Sequence, residues 1–147
     1  MVEVMIIVSI ITITVLAMLG VADRSIFVAR KTTHVAQATF LLEEGVEIVK
    51  ILRDNNWTNI SGLTTDTDYY PIFSSGSWSL SSTPSSVGIF TRTINVQDVN
   101  RDAISGDIST TGNNDVGTRL VTVTVSWQEG GDTASRTLSF YIVDIFS

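Results

Sequence analysis

The chain has 147 residues, 9 basic against 15 acidic side chains, a formal net charge of −6 and no cysteine. The acidic balance argues against a general nucleic-acid binder, though not against a local patch of arginines. With no cysteine there is no disulfide staple, and oxidation state says nothing about compartment.

The first stretch, MVEVMIIVSIITITVLAMLGVA, is nearly all apolar and carries one charge, Glu3. From Val4 to Ala22 there are 19 residues without a charge. At the helical rise this run spans about 28 Å, close to the apolar thickness of a bilayer. A helix is the only single segment that satisfies its own backbone there. Ser9, Thr12 and Thr14 are expected to bond back to carbonyls of the preceding turn. A cleaved signal peptide would begin basic and have a shorter apolar core. This segment begins acidic and its helical pattern continues. Glu3 has two readings. It can sit in the headgroup layer, helped by the positive end of the helix dipole. Alternatively, a charge from another subunit pairs with it, because an ionised group deep in lipid costs about 2.5–3.5 kcal/mol or more.

Val2-Glu3-Val4-Met5-Ile6-Ile7-Val8-Ser9-Ile10-Ile11 closely resembles the N-terminus of type IV pilins and pseudopilins. That family shows a hydrophobic lead, a Glu and then an apolar run. The resemblance is strong over Met1 to Ala22 and is architectural further on. It implies an inner-membrane precursor whose short basic leader is removed by a prepilin peptidase, with methylation of the new amine. It also implies a filament in which Glu3 pairs with the N-terminal amine of a neighbour. Glu3, Val4, Met5, Ile6, Ile7, Ile10, Ile11, Leu16 and Gly20 are then the assembly residues. The family has about four residues before its Glu and this chain has two. The resemblance therefore implies that about two mature residues are missing, or that the start was assigned differently. Gly20 is either a point of local helix melting, around Thr14–Gly20, or a site of close helix packing.

Charge first appears after the apolar run at Asp23 and Arg24. From Phe27 the apolar positions Val28, Val35, Ala38, Leu41, Leu42, Val46, Val49 and Leu52 form one broad helical face. Glu47 and Lys50 make a favourable i,i+3 pair, whereas Glu43 and Glu47 repel. Asp54-Asn55-Asn56 ends the helix. The expected divisions are residues 1–25 as membrane or filament-core helix, 26–54 as its amphipathic continuation, 55–88 as a Ser/Thr-rich connecting loop, and 89–147 as a sheet. The loop holds Trp57, Tyr69, Tyr70, Phe73 and Trp78, too many aromatics for a disordered linker. It is expected to be ordered, with short strand pieces packed on the sheet. Asn56-Trp57-Thr58 and Asn59-Ile60-Ser61 match the N-glycosylation triplet, a pattern common by chance.

Three strands follow, over 89–99, 119–128 and 136–145. The middle one places Val121, Val123, Val125 and Trp127 on one face and Thr122, Thr124 and Ser126 on the other. Gln128-Glu129-Gly130-Gly131-Asp132 joins the last two as a hairpin. The apolar sheet face needs a cover, and the amphipathic helix supplies it. The expected fold is α+β, a long N-terminal helix on a small antiparallel sheet, the pilin lollipop.

Site chemistry is sparse. Asp98, Asn100 and Asp102 alternate oxygen ligands and are weak calcium candidates. The EF-hand pattern fails because Ala103 stands where Gly is needed. His34 lies on the helix without a nucleophile or carboxylate constellation, and no catalytic motif occurs. No enzyme activity, catalytic residue, cofactor or specific nucleic acid is expected. The leading expectation is a major pilin, a homopolymer assembled by dedicated machinery into a cell-surface filament for adhesion, motility or DNA uptake. The alternatives are a pseudopilin of a type II secretion system or a minor pilin, and a membrane-anchored binding or sensor domain that never polymerises.

Overall fold

A computed structural model describes residues 1–146. It shows an α+β fold. Helix α1 (Val2–Asn55) is followed by a short helix α2 (Thr58–Ser61). Seven strands come next: β1 (Asp68–Ser74), β2 (Ser77–Ser81), β3 (Ser86–Val87), β4 (Phe90–Arg101), β5 (Ile108–Ser109), β6 (Asn113–Glu129) and β7 (Asp132–Val143). They form one antiparallel sheet in the order β2-β1-β4-β6-β7, with β3 and β5 paired to β4. The chain divides into two compact units, one from Met1 to Ala36 and one from Gln37 onward.

The first unit is helix alone. Ser9, Thr12 and Thr14 donate their hydroxyls to the carbonyls of Met5, Val8 and Ile10, at 2.7, 2.8 and 2.8 Å, as the sequence predicts. Each hydroxyl is thereby satisfied within its own helix, and the segment presents almost nothing polar. The helix passes through Gly20 without a break.

The second unit holds the core. From α1 it buries Ala38, Leu42, Gly45, Ile48, Val49 and Leu52, at spacings of three and four. Facing them, β4 contributes Ile94 and Val96, and β6 contributes Val121, Val123, Val125 and Trp127. Register stacks like on like: Ile94 opposes Val123, Val96 opposes Val121, and Phe90 opposes Trp127. The last pair sets its rings 5.6 Å apart at a 59° tilt, a favoured aromatic geometry. The buried helical set differs from the face read in the sequence. Gly45 and Ile48 join it, Leu41 and Val46 are only half-buried, and Phe27 and Val28 are exposed. Gly45 is buried because α1 passes close to β6 there. A Cβ there would stand 2.7 Å from Val123 Cγ1, so only a bare backbone lets the helix lie this close to β6.

Strand β6 extends beyond the run expected over 119–128, β4 runs Phe90–Arg101 where 89–99 is expected, and β7 begins before 136 but ends at Val143, short of the expected 145. β6 starts at Asn113, and β7 runs Asp132–Val143. The β6–β7 turn is the glycine pair itself, with Glu129 opposite Asp132. Gly130 and Gly131 have φ of +62° and +99°, the left-handed values a two-residue hairpin needs. Residues 55–88 hold α2 and the β1–β2 hairpin, whose Phe73 and Trp78 pack at 5.1 Å.

Candidate assembly surface

In the first unit the apolar run is wholly uncovered. α1 includes a segment long and apolar enough to cross a membrane, and none of that segment is buried. Val4, Met5, Ile6, Ile7, Ile10, Ile11 and Leu16 are each between 53% and 72% exposed. The helix brings these residues together as a continuous apolar surface rather than as a pocket. At about 100° per residue, Glu3, Ile7, Ile10, Thr14 and Val21 fall along one side. Glu3 is exposed in the first turn of α1. Nothing lies within 4 Å of the position a Gly20 Cβ would take. Around it, Ala17, Gly20, Ser25 and Ala29 leave a shallow groove edged by Val21, Val28 and Arg24. Small side chains of this kind let helices approach closely.

Charge in the second unit is arranged differently. Arg92, on β4, is only 4% exposed. Its guanidinium donates to the Leu41 carbonyl at 3.1 Å and to the Glu44 carboxylate. Its central carbon lies 5.8 Å from the centre of the Trp78 ring, within cation–π range. Among the described residues its Nε has no hydrogen-bond partner. A buried cation is tolerated only when paired and hydrogen-bonded, so this residue ties α1 to β4 and β2. Sequence reasoning missed it. The available signal was its place between Phe90 and Ile94 in the period-two pattern of β4.

Each calcium candidate has a protein partner or a strand role. Asp98 faces Arg119 at 3.4 Å. Asn100 sits at the β4 irregularity, paired with Ser109 and Asn114. Asp102 Oδ1 accepts the backbone N–H groups of Ile104 and Ser105, at 2.9 and 2.8 Å. The Ser105 N–H, then that of Ile104, holds the Asp102 carboxyl below its usual range. Nearby, Asp115 accepts from the Thr118 hydroxyl and from Arg101 Nε, each at 2.6 Å, and from the Gly117 N–H at 2.9 Å. The Thr118 hydroxyl, followed by Arg101, lowers its pKa. Among the described residues no three His, Cys, Asp or Glu side chains are grouped to hold a metal ion.

The glycosylation triplets are also engaged. Asn56 Oδ1 accepts both the N–H and the hydroxyl of Thr58. Asn59 Nδ2 donates to the Leu52 carbonyl at 3.0 Å. His34 is half-buried on α1.

The chain matches no protein-family model, no curated protein and no solved structure. The long apolar helix and the antiparallel sheet are compatible with a pilin-like architecture, and the first helix is a candidate membrane anchor.

Proposed function

We propose that the chain is a structural subunit of an extracellular filament of the type IV pilin kind. On this reading the apolar half of α1 anchors the chain in the inner membrane and then packs against the same helix of other copies. One observation carries the reading: an uncovered, membrane-length helix with a single carboxylate, Glu3, in its first turn. Each large aliphatic side chain there gains about 1.5–3 kcal/mol when removed from water. Lipid supplies that cover before assembly, and neighbouring helices supply it afterwards. Glu3 then orders the packing, because in a low-dielectric core an unpaired carboxylate is strongly disfavoured and a cation of the next subunit relieves it. A prepilin peptidase and an assembly machine would process and extract the chain. The sheet would face the medium, where attachment, motility or DNA uptake takes place.

The test compares wild type with Glu3→Ala and Glu3→Gln by electron microscopy of material sheared from cells. Wild type gives filaments built mainly of this chain, and Glu3→Ala gives none although the protein reaches the membrane. Filaments of unchanged yield from Glu3→Ala would defeat the proposal and favour a membrane-anchored module that does not polymerise. A chain present only in trace amounts within sheared filaments would be a minor pilin. One that stays in the envelope would be a pseudopilin.

A further inference from the structure

The second unit has a cavity of about 400 Å³ where the end of α1, α2 and the β1–β2 hairpin meet. Its walls include the apolar Leu52 and Leu63, the indole of Trp78, the amides of Asn55 and Asn59, and Ser79. None of its lining residues carries a charge. Its volume falls within the range of small-molecule sites, toward the lower end.

Several polar groups around it face solvent. Asn55 and Asn59 are exposed and Trp78 is half-buried. The Asn55 side chain and the Trp78 indole N–H, which make no hydrogen bond to another described residue, are open to water, since among the described residues only Arg92 Nε is buried without a partner. Trp127, by contrast, donates its indole N–H to Glu129 at 2.8 Å. Asn59 gives its Nδ2 to the Leu52 carbonyl, which fixes the side chain and leaves Oδ1 as an acceptor. Trp78 is held in place, with Arg92 over its ring and Phe73 tilted against it at 56°.

This lining selects a chemistry. The absence of charge disfavours ionic ligands. A purely apolar ligand would leave the Asn55 amide and the indole N–H desolvated and unpaired, which is unfavourable. The site calls for a small neutral molecule with an apolar patch and a rim of hydroxyls. A pyranose sugar ring has both: a face of C–H groups for the leucines and indole, and hydroxyls that donate and accept. We propose that this cavity binds a neutral pyranose, with Asn55 and Asn59 bonding its hydroxyls and Trp78 forming the wall. The claim concerns the second unit alone and stands whether or not the chain polymerises.

The test uses the full-length protein in detergent micelles, with ¹⁵N-labelled indole and amide groups followed by NMR. The probes are the methyl glycosides of glucose, galactose, mannose and N-acetylglucosamine, titrated to about 50 mM. The expected result is that at least one glycoside shifts the Trp78 indole and Asn55 amide signals, with the Trp127 indole unmoved. Asn55→Ala, at an exposed helix end, then weakens binding about tenfold or more. Trp78→Phe keeps the ring packing and does the same. The proposal is overturned if no glycoside moves these signals, or if both variants bind as tightly as wild type.

Discussion

Gly45→Ala is the sharpest test of how helix and sheet are fitted together. The added methyl would lie 2.7 Å from Val123 Cγ1, 3.3 Å from Arg92 Cδ and 3.7 Å from Val123 Cγ2. Favourable carbon contacts begin near 3.5 Å, so the first is short by about 0.8 Å. Val123 is fully buried in mid-strand and β-branched, so it cannot turn aside cheaply. Relief requires an off-rotamer side chain or a displaced helix, at about 1–3 kcal/mol. Alanine returns about 1 kcal/mol of helix propensity. The net expectation is a loss of up to about 2 kcal/mol. Val123→Ala alone should cost about 2 kcal/mol, from lost burial and the cavity left behind. In the double variant the clash partner is gone, so the combined loss should fall short of the sum by about 1 kcal/mol. Urea unfolding in micelles, read by tryptophan fluorescence, measures all four corners of the cycle. A Gly45→Ala protein more stable than wild type, or strict additivity with Val123→Ala, would refute the close approach.

Other expectations follow from the same geometry. Gly20→Ala, where the added methyl meets nothing, should strengthen the helix by up to about 1 kcal/mol, seen as higher helicity by circular dichroism. Glu44→Ala removes a partner of buried Arg92. Because the Glu44 side chain is 46% exposed, the cost should be about 1–2 kcal/mol in the same urea assay, below the figure for a fully buried pair. Asp115 titrates below its ordinary value of 3.8 when folded. Unfolding in acid therefore takes up a proton, so the stability it contributes is present above about pH 4 and is lost as pH falls through the depressed folded value. Asp115→Asn should flatten that acid limb of a stability-against-pH curve. Calcium at a few millimolar should leave the thermal midpoint unchanged, since Asp102 is already bonded to two N–H groups and Asp98 faces Arg119. A calcium-dependent rise would show that the loop rearranges to bind the ion.

Much of the fold was legible because it follows from simple periods. The charge-free run from Val4 to Ala22 announced a long helix. The alternation of Val121, Val123, Val125 and Trp127 announced a strand with one face to bury. The glycine pair at 130–131 announced the turn. What stayed hidden depends on partners distant in sequence. The first residues of β6, Asn113 to Gly117, show no apolar alternation; the strand is steadied there by the Asp115 bonds to Thr118, Gly117 and Arg101. The β1–β2 hairpin was obscured by Pro71 and by serines that read as loop. Its turn uses Ser75 and Gly76 at φ of +52° and +80°. Gly45 has no side chain to mark it in a helical pattern, and its closeness to Val123 appears only once the layers are stacked. Arg92 was hidden by its charge, which suggests solvent, and was placed inside by its parity with Phe90 and Ile94.

The most direct measurement of the central claim is a high-resolution cryo-electron microscopy map of surface filaments from cells making this chain. The account predicts a core of α1 helices from many copies, with the Glu3 carboxylate within hydrogen-bond distance of a cationic group on the adjacent subunit. Filaments with a core of some other protein, or a map in which Glu3 points into solvent without a neighbour, would contradict it.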